Sequence, residues 1–338
     1  MFVHRLSVFL LPLFVLCPPS VGYAQNRHTE LVFWNVENYY DPFPDSLQQD
    51  PAFTPQGANH WTWSRFISKR DALAKSMIAI GGGELPVVIG LCEVESRFAL
   101  EQLVRQTPLA PAGYRVVHRD GPDLRGIDVA MLYRPDRFRL LHAHFLTVRL
   151  PDTMQHTREI LYAKGVLDQL DTLHLFVNHW PSKMGGAKAS ASRRMAAAAR
   201  LRQSVDSVFC LQPAANIVIM GDFNDTPLSK VMRTFAAPPL HNLSAPLARR
   251  KVGTIRYRGR WELIDQFIVS ENLLNPHEPI STSAADCRIF SAPFLLIPDE
   301  KYLGYKPYRT YLGPRYQGGI SDHLPVVLRI NHNYESGI

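Results

Sequence analysis

Ser321-Asp322-His323-Leu324-Pro325 sets a carboxylate and an imidazole side by side at the entrance of the β-branched run Val326-Val327-Leu328-Arg329-Ile330. Gly318-Gly319, just before it, lets the backbone turn sharply. A polar surface loop produces the same string, so the pair gains meaning only if other residues of matching chemistry support it. Four further apolar runs end in comparable side chains: Asn35 and Glu37, Glu93, His179, and Asp222 with Asn224. Taken singly, each is equally well read as an ordinary change of polarity from strand to loop. Asp265 differs, because it falls inside the apolar run 261–269, read as one strand. An acid there is costly unless paired, and a histidine would serve as its partner. Carboxylates and amides with few histidines suit a hard divalent cation such as Mg²⁺ or Mn²⁺ rather than zinc. The sequence has no Cys/His zinc spacing and no P-loop, and it lacks the Gly-x-Ser-x-Gly elbow of a serine hydrolase.

Positioning these groups requires several strands whose ends meet. Apolar runs at 30–38, 85–91, 126–133, 138–150, 173–177, 217–220, 261–269 and 326–330 read as strands. Phe66, Leu73, Met77 and Ile80 recur at helical spacing from Ser64 until Gly81-Gly82-Gly83, a stripe that is core packing and carries no chemistry. Shorter and longer helices are expected over 97–106 and 187–209, the second with Leu201, Val205, Val208 and Phe209 facing the core. Trp61 and Trp63, in the proline-rich loop 41–63, either pin that loop to the core or bind substrate. Residues 275–320 read as a long connection rich in Pro, Tyr and Gly. No internal repeat with a clear period and no linker composition divide the chain. Strands outnumber helices, and hairpins mix with helical crossovers, which points to two packed sheets with helices outside.

The 338 residues, 46% hydrophobic and 20% charged, suffice for one large domain with a substantial core. The N-terminus stands apart. His4 and Arg5 precede the apolar run 6–16, and small residues follow at Gly22 and Ala24, the pattern of a secretory signal cleaved after Ala24. The run is too short to span a bilayer, and no second stretch of about 20 apolar residues occurs. Lipid anchoring at Cys17 is disfavoured by Leu16, since such sites want a small residue there. The organisation expected is thus a leader, 1–24, and a single domain, 25–338, that is secreted or periplasmic. Without the leader's one arginine the net charge falls from +7 to +6, which suits a phosphorylated or polyanionic substrate without demanding one. Cys92, Cys210 and Cys287 remain, an odd number, so disulfides do not organise the fold, though a Cys210–Cys287 bridge stays open.

Six motifs in order carry a resemblance: Asn35-Val36-Glu37-Asn38, Cys92-Glu93-Val94-Glu95, Asn178-His179-Trp180-Pro181-Ser182, Gly221-Asp222-Phe223-Asn224, Ile264-Asp265-Gln266 and Ser321-Asp322-His323-Leu324-Pro325. Together they resemble the ordered motifs of the endonuclease/exonuclease/phosphatase superfamily, which includes pancreatic-type deoxyribonucleases, apurinic endonucleases, sphingomyelinases and inositol polyphosphate phosphatases. The resemblance runs from about Leu31 to Ile330. The flanking Gly253-Thr254-Ile255-Arg256-Tyr257 and Arg309-Thr310-Tyr311 are similar to its secreted bacterial branch. The resemblance implies a four-layer αββα sandwich, α/β in class, with two packed mixed, mainly antiparallel sheets and helices on the outer faces. It further implies Glu93 as principal metal ligand, with Asn35, Glu37 and Asp322 close to the cation. Asp222 would orient or deprotonate the attacking water, and Asn224 would hydrogen-bond the water or the phosphoryl oxygens. His323, held by Asp265, would stabilise charge on the phosphate, and His179 would do so from the opposite side. Some members carry tyrosine at the place of His179, and some nucleases carry aspartate at the place of Glu37.

These readings lead to a secreted, monomeric, divalent-metal-dependent phosphodiesterase, with nucleic acid as the expected substrate. The basic segment 249–260 favours a polyanion, although a charge run is more often a solvated face. The alternative within the same chemistry is a phospholipid (sphingomyelinase-like) or small phosphoester hydrolase, with aromatic loops at 59–63 and 302–316 marking a lipid or headgroup site. A surface-binding protein that has lost catalysis would lack some of the residues named, and none of the main ones is lacking. The geometric expectation is sharp: His323 within about 2.6–3.2 Å of Asp265, and Glu93, Asp222 and Asp322 converging on one cleft.

Overall fold

The computed structural model describes residues 28–44, 51–151, 157–183 and 186–333. The expected leader with Cys17 lies outside them. The first half of the chain builds one sheet. Strand β1 (His28–Tyr39) is followed by helix α1 (Trp63–Gly81), β2 (Val88–Val94), α2 (Arg97–Arg105), β3 (Arg115–Val117) and β4 (Asp128–Tyr133). The second half supplies β5 (Phe138–Leu146), β6 (Ile160–Leu167), β7 (Asp171–His179), α3 (Ala187–Leu211), β8 (Asn216–Asp222), α4 (Lys230–Phe235), β9 (Leu240–Asn242), α5 (Ala245–Arg249) and β10 (Asp265–Ser270). The chain then returns to the first sheet with β11 (Ile280–Ser281), β12 (Cys287–Ile289) and β13 (Val326–His332). The 7-stranded sheet runs β11-β13-β1-β2-β4-β3, with β12 also paired to β13, and the 6-stranded sheet runs β5-β6-β7-β8-β10-β9.

Alternation along the strands sorts side chains into three apolar layers, because successive residues point to opposite faces. In β1, Leu31 and Phe33 enter the layer between the sheets, while Val32, Trp34 and Val36 face α1 and α2. In β8, Val218 and Met220 enter the central layer, while Ile217 and Ile219 join Ala197, Leu201 and Val205 of α3. Both sheets therefore bury both faces, and the order is helices, sheet, sheet, helices: the expected αββα sandwich. Helix α1 starts at Thr62, whose side chain accepts from Arg65 N, and ends at Gly82 in the left-handed region, φ 56°. Trp61 is fully buried with its indole N–H donated to Tyr40 O at 2.9 Å, so it pins the loop.

Some expectations about elements fail. The run 160–167 is a full strand, β6, that the sequence reading passes over. The single strand expected over 261–269 is two pieces. Arg260–Glu262 pairs with Ile255–Tyr257 in a separate hairpin, and β10 begins at Asp265. Thr254 Oγ1 accepts from both Ile264 N and Asp265 N, at 3.4 Å each, and so makes the break. Asp265 is consequently the first residue of a strand rather than an interior one. The connection 275–320 carries β11, β12 and two further hairpins, Leu296–Pro298 with Tyr305–Pro307 and Tyr311–Leu312 with Arg315–Tyr316. Cys210 and Cys287 do not pair; Cys287 is buried and lies 3.5 Å from Ser244 Oγ, and Cys210 is exposed.

The topology repeats although the sequence does not. Each sheet has a parallel pair, β1 with β2 and β7 with β8, linked by a helical crossover through α1 or α3. Each pair has an antiparallel third strand alongside it, β13 beside β1 and β10 beside β8. The carboxyl ends of the parallel strands and the amino ends of β13 and β10 therefore lie at the same edge. At that edge Gly221 has no room for a side chain, since a Cβ there would stand 2.5 Å from Asn178 Cβ and 2.7 Å from Asn178 O.

The opposite edge is tied by charge. Asp168, in the β6–β7 turn, accepts from Thr29 Oγ1 of β1 at 2.5 Å and from Arg137 Nη2 at 3.1 Å, and lies 3.1 Å from His332 Nε2 of β13. Arg137 also bonds Glu84. One carboxylate thus joins the two sheets. Burial alone would raise the Asp168 carboxyl, but hydrogen bonds from His332, Arg137 and Thr29 outweigh it and hold it at about 2. The depressed pKa makes this stabilisation complete above the unfolded-state value of about 4 and lost as pH falls toward about 2. Asp168→Ala should cost about 3 kcal/mol in urea titrations at pH 7. It should also flatten the acid limb of the stability curve between those two pH values; a limb as steep as the parent's would refute the assignment.

Candidate active site

The strand tips that meet at the first edge carry the polar residues. Asn35 and Glu37 belong to the end of β1, Glu93 to that of β2, His179 to that of β7 and Asp222 to that of β8, while Asp265 opens β10. In the second sheet the register aligns His179 with Asp222 and Asp222 with Asp265, so three functional groups form one row across three strands. In the first sheet Asn35 aligns with Cys92, next to Glu93.

Local backbone geometry aims these side chains. Glu37, Asn38, Glu93 and Asn224 all have positive φ, 48°, 53°, 61° and 49°. Such conformations cost of order 1–3 kcal/mol for non-glycine residues and survive only where surroundings enforce them. Here the enforcement is visible. The β1–β2 register shifts between Asn35 and Tyr39, and the β2–β4 register shifts between Cys92 and Val94. Asn38 N donates to Glu93 Oε2 at 3.0 Å, and Asn224 N to Asp222 Oδ1 at 2.8 Å.

Asn35 links the two sheets. Its Nδ2 donates to Glu93 Oε1 at 3.2 Å and to Asp222 Oδ2 at 3.1 Å, while its Oδ1 accepts from Glu37 N at 2.9 Å. Asp222 Oδ2 also lies 3.8 Å from His179 Nε2 and 3.9 Å from His323 Nε2. Burial, then the neighbouring Asp265 carboxylate, pushes Asp222 up to about 7. His323 Nδ1 stands 2.8 Å from Asp265 Oδ2, inside the expected range. The segment bearing it is held by Ser321 Oγ, which donates to Asn35 O at 2.7 Å and accepts from His323 N at 3.0 Å, and by Trp34 Nε1, which donates to His323 O at 2.9 Å. Burial opposes the charged imidazole, yet the Asp265 carboxylate prevails and carries His323 well above its ordinary value. Asp322 Oδ1 lies 3.9 Å from His323 Nε2.

His179 has the opposite character. Arg158 Nη2 donates to its Nε2 at 3.0 Å and to Trp180 O at 3.1 Å, and Arg158 Nη1 donates to Asp123 Oδ2 at 3.1 Å. With Nε2 accepting, the ring is neutral; burial first, then the Arg158 charge, keeps its pKa well below the ordinary value. Asn224 Nδ2 donates to Trp180 O at 3.0 Å.

Glu37 turns both its oxygens to the 309–311 segment rather than to the other expected site residues. Thr310 N donates to Oε2 at 2.6 Å and Tyr311 N to Oε1 at 3.4 Å, and Arg309 Nε lies 3.4 Å from Oε1. Arg309 reaches Asp322 as well, at 2.9 Å. Burial, then Asp322, raises Glu37 to about 7. Lys69, buried in α1, donates to Glu37 O and to Thr310 Oγ1, the latter at 2.6 Å. Burial lowers it to about 8 despite the Glu37 charge. The structure therefore brings Asn35, Glu93, His179, Asp222, Asn224, Asp265, Asp322 and His323 to one edge, and sets Glu37 behind them as the latch for 309–311.

Lys69 and Arg158 are absent from the sequence reading, and Arg309 enters it only within a flanking motif, with no role. Lys69 stands in an apolar helical stripe, between Phe66 and Leu73, which is a readable sign of a buried cation. Arg158 had a weaker one, standing just before an alternating run. The residues fit a hard divalent cation. Glu93 and Asp222 are acidic oxygens converging through one shared amide, and Asp222, Asp265 and His323 offer ligand atoms within 4.8 Å of one another.

A sequence profile described as the Endonuclease/Exonuclease/phosphatase family matches residues 30–332. No curated protein matches the chain. Among solved structures, the human Nocturnin catalytic domain is similar at 16% identity and TM-score 0.56, covering 90% of this chain and 95% of that one. D. rerio TDP2 is similar at 14% identity and TM-score 0.56, covering 90% and 99%. An endonuclease/exonuclease/phosphatase family protein from Bacteroides thetaiotaomicron is similar at 15% identity and TM-score 0.55, covering 91% and 98%. At these identities the neighbours establish the fold, and the profile establishes the lineage. The chain belongs to the endonuclease/exonuclease/phosphatase family, whose members are metal-dependent phosphoester hydrolases.

Proposed function

We propose that the chain is an exported Mg²⁺- or Mn²⁺-dependent phosphodiesterase that acts on nucleic acid. The observation that carries this reading is the amide of Asn35 holding Glu93 and Asp222 together across the two sheets, 3.2 and 3.1 Å away, with His323 beside them. A divalent cation held by Glu93, with Asn35 and Asp322 close by, supplies Lewis-acid charge on the phosphoryl oxygens. Asp222 receives the proton of the attacking water, a task suited to a carboxylate raised to about 7. Asn224 fixes that water, since its backbone N–H already orients Asp222. His323 keeps Nδ1–H on Asp265 and turns Nε2–H toward the phosphate, where it stabilises developing charge. His179 does not share that role as a cation: it accepts from Arg158 and sets that guanidinium at the site's wall. Glu37 acts indirectly, through the 309–311 segment and Arg309.

Support for nucleic acid comes from a basic surface. Arg249, Arg250, Lys251, Arg258 and Arg260 are exposed on α5 and the hairpin that leads into Asp265. D. rerio TDP2, a structural neighbour, is solved with a single-strand DNA product. A lipid phosphodiester is the second reading. It is favoured by the apolar tip formed where two hairpins meet: Leu303 is 81% exposed, with Tyr257, Tyr302 and Tyr305 exposed around it. Among the described residues no helix is long and apolar enough to cross a membrane. Residues 1–24 support export, and protein recovered from its producing cells should begin at Gln25 by mass spectrometry; retention of residue 1 on the exported form would refute cleavage.

Glu93→Ala, Asp222→Ala and His323→Ala should each lower kcat on bis-p-nitrophenyl phosphate at least ~100-fold with thermal unfolding little changed. EDTA should abolish activity and added Mg²⁺ or Mn²⁺ restore it. Near-parental turnover by His323→Ala would end the assignment. A panel of plasmid DNA, RNA, sphingomyelin and inositol phosphates decides the substrate: cleavage of the nucleic acids alone is expected, and cleavage of sphingomyelin alone would transfer the site to the lipid reading.

A further inference from the structure

A cavity of about 610 Å³ opens on the outer face of the second sheet, beside α3 and away from the strand tips. The alternation of three neighbouring strands builds its floor. His144 of β5 pairs with Tyr162 of β6, Tyr162 with Phe176 of β7, and Lys164 of β6 with His174 of β7, all on the face turned to α3. Arg200 of α3 stands on the opposite wall.

The charge of this cavity is one-sided. Lys164 and Arg200 line it, and no carboxylate does among the described residues. Lys164 makes no hydrogen bond or ion pair among the described residues. Arg200 is fixed by neutral oxygens only, Ser204 Oγ at 2.7 Å and Thr147 O at 3.3 Å. The imidazoles are held as well. Tyr162 O–H pairs with His174 Nδ1 at 2.8 Å, His174 Nε2 with Gln212 Oε1 at 3.0 Å, and His144 Nδ1 with His142 Nε2 at 2.9 Å. Tyr162 lies 4.9 Å from both Phe176 and His144, centroid to centroid. A half-buried pair of cations without counter-charge, set against aromatic faces in a space of ligand size, is a receptor for an organic anion. Two positive charges match a dianion better than a monoanion, and the planar fork of Arg200 matches phosphate.

We propose that this cavity is a second binding site, for a phosphate monoester carried on a flat ring, of nucleoside monophosphate size. Lys164 and Arg200 take the phosphate, and Tyr162 with the exposed His144 takes the ring. The site is separate from the strand tips: on β7 the cavity residues His174 and Phe176 precede His179 by five and three positions, roughly 16 and 10 Å of strand, and face α3 rather than the layer between the sheets. It stands whether or not the phosphodiesterase reading holds.

Isothermal titration of the full chain with AMP, in EDTA so that no metal-dependent turnover occurs, tests it. AMP should bind at one site, with adenosine and inorganic phosphate each at least tenfold weaker. Lys164→Met and Arg200→Met should each weaken AMP at least tenfold; they lie on opposite walls, so either one decides if the other does not fold. Glu93→Ala and His323→Ala should leave AMP affinity within twofold. No binding at 5 mM AMP would overturn the proposal. So would affinity retained by both cavity variants and lost in His323→Ala, which would put AMP at the strand tips. Inorganic phosphate binding as tightly as AMP would overturn the ring subsite.

Discussion

Three carboxylates packed where two sheets open is the constraint from which the rest of the molecule follows. Asp222 and Asp265 are directly opposite in register and 2% and 0% exposed, and Glu93 faces them from the other sheet. Buried acids without partners are expensive, and removing water raises the cost of each neighbour's charge. The structure answers almost oxygen by oxygen: Asn224 N and Asn35 Nδ2 for Asp222, Asn38 N and Asn35 Nδ2 for Glu93, His323 Nδ1 for Asp265. Asp265 Oδ1 remains without a hydrogen-bond partner among the described residues. What is left over is negative charge concentrated at one edge, which is the condition under which a hard cation binds and becomes part of the stability of the site.

Such a concentration needs two sheets of the same design. In each, a helical crossover makes a parallel pair, so two carboxyl ends lie together, and an antiparallel third strand begins at that edge. Stacking the sheets face to face then brings the β1 and β2 ends against the β7 and β8 ends. The strain at Glu37, Asn38, Glu93 and Asn224 belongs to the same design, because an extended tip alternates its side chains and cannot aim successive ones inward. Twisting single residues into the left-handed region breaks the alternation where the site requires it. Energy for that comes from the opposite edge and from the three apolar layers, where Asp168 and the buried aromatic residues hold the sheets in register.

Much of this was legible in the chain because the informative signal is local. A β-branched run that turns polar at its end announces a tip, and five such runs with one acid unexplained announce that the tips meet. The cost of a buried acid asked only for a partner to Asp265; that the partner is His323, 58 residues away, came from the family resemblance, and the structure shows the pair. The topological repeat was not legible, since the two halves share a connection pattern and not a sequence period. Asp265 was misplaced by the apolar run 261–269, because Thr254, which ends the hairpin there, acts from ten residues away. Glu37 was expected close to the cation from the family resemblance. What decides its position is the amides of Thr310 and Tyr311, and those approach only after the 308–320 segment folds back.

The two histidines show why residue type alone does not assign a role. Both stand at strand tips, both are buried, and both lie just under 4 Å from the same Asp222 oxygen. Their charge states are opposite because of the other partner. Asp265 accepts from His323 and favours imidazolium; Arg158 donates to His179 and forbids it. One side of Asp222 therefore presents a donor that carries charge, and the other presents a neutral ring bonded to a guanidinium. A symmetrical pair of cations would compete with a metal for the carboxylates between them. Neutralising one ring, and holding the other to a carboxylate buried behind it, leaves less positive charge against Glu93 and Asp222 at the edge where the two sheets open.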